Sequence, residues 1–294
     1  MLDFLERNKD ITDLSNFKTP AKADYYFEIH TIDQLDQLKS VFKWIQEENI
    51  NYLIVWGGTN MLFAFDNYEG IIIKNNLLWW FYTEESQILE SYSAESIWDI
   101  AQILETDDNQ GLWHRFIWLP GSIWGAVYGN AWCFGLEIEN NFIEAFVLDI
   151  FTWETKFLSK SEMEFSYRSS ILKTSIQYFL LKVKFDLSKK IEKYHSDVDN
   201  IYFREYKQPK GNTCGSFFKN PNREKSAWKL IEEVWLKWYK LWWAYFSGLH
   251  ANFLMNDWSW AYTDLLSLIK LAEDKVKQNF WIELVNEVRI ISNK

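Results

Sequence analysis

The N-terminal part of the chain moves from a helical to a strand-like hydrophobic pattern. Residues 31–49 carry apolar side chains at helical spacing, and Thr31, followed three residues later by Gln34, is typical of a helix N-terminus. The apolar run Tyr52–Val55 predicts a short buried strand that leads directly into Trp56–Asn60. We therefore expect this last segment to be a loop at a strand end.

The middle of the chain is rich in strand patterns. The elements predicted there are strands at Ile71–Ile73, 84–92 and Tyr178–Leu187 and a helix at 95–105. Phe142–Phe157 predicts a hairpin whose two strands are joined at Asp149–Glu154. Trp153 lies in that turn, where a small residue is the usual choice.

The pattern changes after residues 188–209, a charged stretch that is poor in aliphatic residues and predicts a boundary with a helix inside it. The elements predicted beyond it are helices at Ala227–Leu236 and Tyr262–Phe280 and strands at Ala251–Met255 and Ile282–Ile291. Strand-rich segments followed by mixed segments predict an α+β fold with two lobes.

Composition and charge exclude several classes of protein. The 294 residues are 48% hydrophobic, enough to bury a core. No apolar run reaches the ~18 residues of a membrane span. A net charge of −10 without a Lys/Arg stripe argues against nucleic-acid binding. The four scattered histidines lack metal-ligand spacing, so no metal site is expected.

The cysteine content and the N-terminus favour a reduced, cytoplasmic setting. Cys133 and Cys214 are too few for a disulfide framework. The first residues are charged and lack the apolar segment of a signal peptide.

The chain holds 18 tryptophans but only 11 glycines. Many tryptophans stand where a tight turn or a ligand-binding loop calls for glycine, which alone lacks a Cβ. With glycine at Trp118, Trp124 and Trp132, the segment 118–132 becomes G-L-P-G-S-I-G-G-A-V-Y-G-N-A-G. That density of small residues favours a backbone wrapped around a ligand over a purely structural loop.

Trp56–Asn60 and 118–132 are the candidate phosphate-binding segments. A strand that ends in a small-residue loop can point successive backbone N–H groups at an anion. For Trp56–Asn60 a plain strand-end turn is an equally good interpretation. Neither segment has the G-x-G-x-x-G pattern of the common dinucleotide fold.

Three further segments carry candidate chemistry. Tyr167 and Arg168 suit recognition of a carboxylate or phosphate, although a surface arginine is the simpler interpretation. Ser216 follows a glycine near Lys219 and Asn220, without the surroundings of a hydrolytic nucleophile. Cys214 in the same segment is expected to be structural.

Glu287 lies in Leu284–Arg289, where strand alternation places it among apolar residues. It is either a buried functional acid or an exposed carboxylate paired with Arg289.

Taken in order, these segments resemble the UDP-N-acetylenolpyruvoylglucosamine reductase family. Its pattern runs G-G-G-S/T-N, I/L-P-G-x-x-G-G-A-x-x-x-N-x-G, F-G-Y-R-x-S, G-S-x-F-K-N-P, K-L-I-E-x-A-G-L-K-G, H-A-N-F and L-x-x-E-V-R. This chain matches at Trp56–Asn60, Leu119–Trp132, Phe165–Ser170, Gly215–Pro221, Lys229–Trp238, His250–Phe253 and Leu284–Arg289. Two departures are Ser166 in place of the glycine before Tyr-Arg, and an N-terminal block, Asn16–Ala21, without the customary Gly-Gly.

The resemblance implies an α+β fold: an FAD-binding domain of the vanillyl-alcohol-oxidase (PCMH) type with two subdomains at residues 1–190, and an α+β substrate-binding domain at 191–294. It also implies that NADPH reduces bound FAD, which then reduces the enolpyruvyl ether of UDP-N-acetylglucosamine to UDP-N-acetylmuramate in peptidoglycan precursor synthesis. The compact, monomeric form of the family is expected.

The family roles carry over residue by residue. Ser216 matches the general acid, and Arg168 and Glu287 match the pair that orients and polarises the substrate carboxylate. Tyr167, Lys219 and Asn220 match positions that line the substrate. The matching cofactor-binding positions are Trp56, Gly57, Gly58, Thr59, Asn60, Pro120, Gly121, Ser122, Trp124, Gly125 and Asn130.

The tryptophans lead to a hypothesis about the gene, namely that UGA encodes glycine and has been read as tryptophan. The positions where glycine is expected are Trp56, Trp118, Trp124, Trp132, Trp153, Trp228, Trp235, Trp238, Trp242, Trp243, Trp258 and Trp281, with Trp79, Trp80, Trp113 and Trp260 as further candidates. Trp44 and Trp98 lie within predicted helices and are interpreted as genuine. If the tryptophans are real, the alternatives are a sugar-binding protein or an inactive homologue. Another flavin oxidoreductase of the same fold is the enzyme alternative.

Overall fold

The computed structural model describes residues 2–108, 110–188, 202, 204–222, 224–257 and 261–293. The strands are β1 (Glu6–Asp10), β2 (Lys22–Ile29), β3 (Tyr52–Val55), β4 (Met61–Phe63), β5 (Asn67–Asn75), β6 (Trp80–Thr83), β7 (Ile88–Tyr92), β8 (Trp132–Cys133), β9 (Leu136–Glu137), β10 (Phe142–Asp149), β11 (Thr155–Ser159), β12 (Tyr178–Asp186), β13 (Lys240–Leu241), β14 (Ala244–Phe246), β15 (Leu254–Asn256) and β16 (Arg289–Ile291). The helices are α1 (Leu35–Glu48), α2 (Ile97–Thr106), α3 (Ile123–Tyr128), α4 (Ile138–Asn141), α5 (Ile171–Thr174), α6 (Ala227–Glu233) and α7 (Tyr262–Phe280).

The chain divides into two compact units, each built from separate stretches of sequence. The first unit consists of Met1–Phe4, Phe27–Gly57 and Ile73–Glu205, and the second of Leu5–Tyr26, Gly58–Ile72 and Tyr206–Lys294. The predicted functional boundary between residues 190 and 191 lies outside the described residues, as does most of the predicted helix within 188–209. That functional division stays a prediction.

The first unit contains an antiparallel sheet with the strand order β11-β10-β12-β7-β6. Every second side chain of β12 from Phe179 to Phe185 is buried, as expected for a strand with one face on a core, and Leu180 is buried as well. The buried Phe179 of β12 makes edge-to-face contacts with Phe42 of α1 and with Trp124. The hydrophobic core therefore lies directly beneath one of the predicted ligand-binding segments.

The predicted helix at 31–49 is confirmed as a short 3₁₀ turn at Ile32–Gln34 that continues into α1. The side-chain oxygen of Gln34 accepts hydrogen bonds from the backbone N–H groups of His30 and Thr31. These bonds satisfy donors that a helix start leaves unpaired. The buried residues of α1 all come from its apolar stripe.

The second unit is organised around α7 and a three-stranded sheet of order β13-β14-β15. The apolar face of α7, from Leu265 to Val276, is buried in a core that also holds Phe217, Phe246 and Leu254. Strand β16 pairs in parallel with β4, in the register Arg289 to Met61. This pairing ties the C-terminal segment to residues that directly follow the Trp56–Asn60 loop.

Several predicted elements differ from the observed ones for local reasons. Helix α6 ends at Glu233, three residues before the predicted end, because Trp235 has a left-handed backbone that stops the helix. Of the strand predicted at 84–92, Ile88–Tyr92 form β7, and the residues before them form the turn that joins β7 to β6. Within 118–132, predicted as a loop, residues Ile123–Tyr128 form a helix capped by Ser122.

The predicted C-terminal strands are shorter than the alternating patterns suggested. Of Ala251–Met255 only its last residues enter β15, and of Ile282–Ile291 only Arg289–Ile291 are in a strand. The preceding residues bond instead to the Ser216 segment. Alternation of apolar and polar residues indicates which side chains are buried. An extended loop that is held by backbone hydrogen bonds has the same alternation as a strand.

Six tryptophans have a left-handed backbone, with φ between 55° and 66°, a region that favours glycine. They are Trp118, Trp153, Trp235, Trp238, Trp242 and Trp281. A bulky residue in this region costs roughly 1–2 kcal/mol. The chain as written therefore carries a large backbone strain.

Among the described residues, no helix combines the length and the apolar character needed to cross a membrane.

Candidate functional site

The loop after β3 and the loop before α3 approach each other closely within the first unit. A β-carbon added to Gly57 would lie 3.4 Å from the backbone nitrogen of Ser122 and 3.7 Å from the α-carbon of Gly121. Gly121 has φ of +140°, a backbone conformation that residues other than glycine rarely adopt. The two predicted phosphate-binding segments thus come together, with Gly57 exposed and Gly121 half-buried.

Ser122 holds the second of these loops in shape. Its hydroxyl oxygen accepts a hydrogen bond from the backbone N–H of Gly125 at 3.3 Å, which makes Ser122 the N-cap of α3. The residue is buried, while Pro120 before it is exposed. Ser122 therefore has a local structural role in addition to the predicted contact with a cofactor.

Two indoles fill the space at these loops. The rings of Trp56 and Trp124 stack face to face, with centroids 5.0 Å apart and planes 3° from parallel. Trp56 also contacts the ring of Tyr128. Trp124 is buried, and its Nε1 donor has no hydrogen-bond partner within the described part of the chain. A buried donor without a partner costs about 1–3 kcal/mol.

The FAD that the resemblance implies does not fit these residues as they stand. A β-carbon added to Gly125 would lie 3.3 Å from Nε1 of Trp56, so that indole rests directly on the glycine backbone. A pyrophosphate needs the same backbone face in order to reach the N–H groups. The backbone face at Gly125, which a pyrophosphate at these loops would approach, is thus occupied by the Trp56 indole.

Lys74 is a cation beside the first loop that sequence reasoning missed. Its ammonium donates a hydrogen bond to the carbonyl oxygen of Trp56. Burial lowers the pKa of Lys74, and the nearby Glu28 carboxylate opposes this shift. A lysine directly after the buried run Ile71–Ile73 was the available signal, since a charge at the end of a buried strand is uncommon.

Asn130 connects the second loop to the turn that carries Arg168. Asn130 is buried, and its side-chain amide nitrogen donates to the carbonyl oxygen of Ser166 at 3.2 Å and to Oε1 of Glu139 at 3.1 Å. Ser166 and Ser169 pair across the turn, and Arg168 has a left-handed φ of 57°. Asn130 thereby fixes the position of the predicted substrate-binding arginine.

Two carboxylates lie beside this turn. Burial raises the pKa of Glu137, the neighbouring Glu139 raises it further, and the Arg168 guanidinium acts in the opposite direction. The positive charge of Arg168 is thus partly balanced within the unit. Tyr167, next in the turn, is almost fully exposed and free to contact a ligand.

In the second unit, hydrogen bonds bring the Ser216 and Glu287 segments together. The backbone N–H of Glu287 donates to the carbonyl oxygen of Phe217 at 2.8 Å, and that of Lys219 donates to Val285 at 2.8 Å. Both predicted catalytic residues are half-buried. The predicted acid and the predicted carboxylate are therefore held on adjacent strands of backbone.

Asn252 anchors the Ser216 segment from its other side. Its Oδ1 accepts from the N–H of Phe218 at 2.9 Å, and its Nδ2 donates to the Phe218 carbonyl at 2.8 Å. This residue lies in the His250–Phe253 block, which the sequence pattern includes without a role for any of its members. These two side-chain bonds resemble the backbone bonds between paired strands, and they hold the Ser216 segment in place beside Asn252.

Asn60 and Gly58 belong to this second unit and support the same region. Nδ2 of Asn60 donates to the carbonyl oxygen of Glu287 at 3.2 Å, and the Asn60 carbonyl accepts from the N–H of Arg289 at 3.1 Å. A β-carbon on Gly58 would lie 2.1 Å from the carbonyl oxygen of Leu14, so only glycine fits. Thr59 between them is half-buried.

The predicted substrate-lining residues of this unit differ in their surroundings. The side chain of Lys219 is exposed. Oδ1 of Asn220 accepts a hydrogen bond from the backbone N–H of Ala227 at 3.0 Å, at the first residue of α6. Asn220 therefore caps a helix in this structure, and its contact with substrate stays a prediction.

Cys214 is unsuited to thiol chemistry. Burial raises the pKa of its thiol to about 12, and the thiol donates weakly towards the carbonyl oxygens of Met61 and Gly58. The nucleophilic form of cysteine is the thiolate, which is scarce at neutral pH with such a pKa. This environment agrees with the expected structural role.

Comparisons with known proteins match the whole chain to one family. Residues 206–291 match the family model described as UDP-N-acetylenolpyruvoylglucosamine reductase, C-terminal domain. The enzyme of that name from Caldicellulosiruptor saccharolyticus is 34% identical over 299 residues, covering 99% of this chain and 92% of that protein. The one from Clostridium kluyveri is 33% identical and covers 98% of this chain and 97% of its own length.

The fold agrees with that match. The crystal structure of UDP-N-acetylenolpyruvylglucosamine reductase from Thermus caldophilus superposes with a TM-score of 0.73 and 20% identity, over 97% of this chain and 98% of that one. The predicted α+β fold is thereby confirmed. On the identity and coverage of these relatives, the chain belongs to the UDP-N-acetylenolpyruvoylglucosamine reductase family.

Proposed function

We propose that this protein reduces the enolpyruvyl ether of UDP-N-acetylglucosamine to UDP-N-acetylmuramate, with NADPH as the reductant and FAD as its cofactor. Family membership along the entire chain supports the reaction. The observation that supports the proposal is the backbone pairing of the Ser216 segment with the Glu287 segment, in which the Glu287 N–H donates to the Phe217 carbonyl. Two segments far apart in sequence, one with the proposed acid and one with the proposed carboxylate, are thus neighbours in the fold.

The overall reaction requires a hydride equivalent and a proton. The hydride equivalent, which NADPH ultimately supplies, adds to the terminal vinyl carbon, and a proton adds to the adjacent carbon that bears the carboxylate. Ser216 is the proposed donor of that proton. A serine hydroxyl is a weak acid, so it protonates only a strongly basic carbon, such as the enolate-like centre formed after hydride addition.

Charge must be stabilised at the substrate carboxylate during this step. Arg168, with its planar guanidinium, is the proposed partner of the carboxylate, and Glu287 is the proposed group that orients and polarises it. Tyr167, Lys219 and Asn220 are the proposed lining of the substrate site. Each of these assignments rests on the matched motif and on the local geometry described above.

The cofactor assignment concerns the backbone more than the side chains. The proposed contacts with the FAD pyrophosphate are the N–H groups of Gly57 and Gly121, beside Ser122 and the Gly125 backbone. In the chain as written, the Trp56 indole, stacked on Trp124, covers the backbone at Gly125. We therefore expect FAD to bind when both indoles are removed.

The remaining assignments follow from the family. Residues 1–190 are proposed to bind the cofactor and 191–294 the substrate. We place the reaction in peptidoglycan precursor synthesis, in the cytoplasm, and propose that the protein acts as a monomer.

The test is an NADPH oxidation assay with and without enolpyruvyl-UDP-N-acetylglucosamine. It is run on the chain as written and on its Trp56→Gly/Trp124→Gly variant after incubation with FAD. Oxidation that depends on this substrate and yields UDP-N-acetylmuramate supports the proposal. A flavin-containing variant that oxidises NADPH with other acceptors but not with this substrate would contradict it in favour of a different flavin oxidoreductase.

A further inference from the structure

We propose that the functional form of this protein carries glycine at Trp56, Trp118, Trp124, Trp153, Trp235, Trp238, Trp242 and Trp281, because the gene specifies glycine with a codon that is written here as tryptophan. The part of the inference that concerns backbone turns is independent of the proposed function. The part that concerns Trp56 and Trp124 rests on it, since it invokes the cofactor.

The first line of support is that two of the tryptophans with a left-handed backbone lie just after the ends of helices. Trp281 follows the last residue of α7, and its N–H donates to the carbonyl of Lys277 at 2.9 Å. Trp235 lies two residues after the end of α6, where the next residue, Leu236, donates back to Ile231 at 3.1 Å. Glycine is the usual residue at this position of a helix C-terminus.

The second line comes from hairpins. Leu241 pairs with Ala244 across a two-residue loop, and Trp242, the first loop residue, has φ of 55°. Such loops take glycine or asparagine at this position because a positive φ is required. Trp153, in the turn between β10 and β11, has φ of 66° and repeats the pattern.

The third line is how little these side chains contribute where they are. The relative exposure is 90% for Trp281, 86% for Trp235 and 76% for Trp242. An indole so exposed buries almost no apolar surface to offset the strained backbone beneath it. At these three positions the backbone conformation favours glycine, and the exposed indole adds almost no stabilising contact. Both observations support glycine there.

The fourth line is the misfit at the cofactor loops. The Trp56 ring, which stacks on Trp124, lies against the Gly125 backbone, and the buried Nε1 of Trp124 has no partner among the described residues. With glycine at both positions, the loop backbones would be open to a pyrophosphate. The misfit and the backbone strain therefore have one explanation.

Other tryptophans fit their surroundings and are retained. Trp113, a further candidate for a glycine position, is fully buried against Phe116 and Phe185. Its Nε1 donates to Asn141 Oδ1 at 3.4 Å. Trp98 lies within α2 and bonds to Gln102. Trp258 and Trp260 lie outside the described residues.

The direct test is to isolate the protein from its native host and to sequence its peptides by mass spectrometry. Glycine at positions 235, 242 and 281, with tryptophan at 98 and 113, is the expected result. Tryptophan at 235, 242 and 281 would overturn the proposal whatever the enzyme does.

The Tm values of single Trp→Gly variants test whether the tryptophans at turns strain the backbone. Trp235→Gly, Trp242→Gly and Trp281→Gly are each expected to raise the Tm by about 2–4 °C. Trp98→Gly and Trp113→Gly make the same chemical change in a helix and in the core, and are expected to lower it. If the three turn variants lower the Tm as the controls do, the glycine assignment at turns is wrong.

A flavin titration isolates the cofactor part. The Trp56→Gly/Trp124→Gly variant is expected to retain FAD through gel filtration and show its visible absorption, whereas the chain as written does not. If the native peptides carry glycine and the turn variants are stabilised, but this variant fails to bind FAD, the glycine inference stands and the cofactor assignment fails. If the chain as written binds FAD as tightly as the variant, the indoles do not obstruct the site.

Discussion

The side-chain amide of Asn130 donates a hydrogen bond to the carbonyl oxygen of Ser166 at 3.2 Å. This bond connects the end of a cofactor-loop segment to the turn that carries Arg168. A residue predicted to touch the cofactor thus also positions a residue predicted to bind the substrate. The two roles can be distinguished by measurement, since one concerns FAD and the other the UDP-sugar.

Asn130→Gly removes the amide while tolerating the left-handed φ of 40° at this position. If Asn130 positions Arg168, the KM for the UDP-sugar should rise about tenfold, the equivalent of about 1.4 kcal/mol, while FAD affinity stays unchanged. Steady-state kinetics and flavin titration of the glycine-restored protein measure both. A loss of FAD with an unchanged KM would assign Asn130 to the cofactor instead.

Ser216→Ala should lower kcat by about 10²–10⁴-fold, the range for loss of a general acid. FAD binding and Tm should stay near those of the parent, because the backbone bonds of Phe217 and Phe218 hold this segment without the Ser216 side chain. Reduction of the flavin by NADPH, followed without the UDP-sugar, is the internal control. Full turnover in Ser216→Ala would remove Ser216 from the mechanism.

Glu287→Gln keeps the size of the side chain and removes its charge. The bond from Asn60 to Glu287 uses the backbone carbonyl, so the local structure should be retained. We expect kcat to fall at least tenfold with a smaller change in KM, as for a group that acts mainly in the transition state. Arg168→Lys is the companion variant, expected to raise KM because lysine cannot form the bidentate contact. An unchanged kcat in Glu287→Gln argues for a purely structural carboxylate.

Cys214 predicts a loss of stability at high pH. Its thiol ionises near pH 9 in the unfolded chain, whereas burial raises the pKa in the folded protein to about 12. The contribution of the buried thiol to the free energy of unfolding is therefore present in full below pH 9. It is lost as the pH rises towards 12, because only the unfolded state gains the thiolate. Denaturant unfolding at pH 8 to 11 should show a shallower decline for Cys214→Ala than for the parent. Parallel curves would show that the buried thiol does not contribute.

Hydrophobic spacing was enough to place the regular elements. The stripe on α1 and the long apolar face of α7 need only a 3.6-residue period, which is written in the sequence, and both helices lie where that period predicts. The motifs likewise placed Ser216, Arg168 and Glu287 as candidates, because catalytic side chains occur in ordered local patterns. None of these inferences required knowledge of which segments meet.

Contacts between distant segments were beyond the reach of the pattern. The pairing of Phe217 with Glu287, the two bonds of Asn252 to Phe218 and the approach of Lys74 to Trp56 each join residues that no local period relates. Such bonds depend on how the chain closes its core, and the free energy that selects them comes from burial over the whole unit.

The tryptophans show the same division. Their excess over glycine is visible in the composition, and it points to turns and phosphate loops. Only the tertiary structure separates a strained, exposed Trp281 from a buried, hydrogen-bonded Trp113. The reason is physical, since backbone dihedral angles, solvent exposure and the pairing of an indole N–H are properties of a folded chain and not of a residue type.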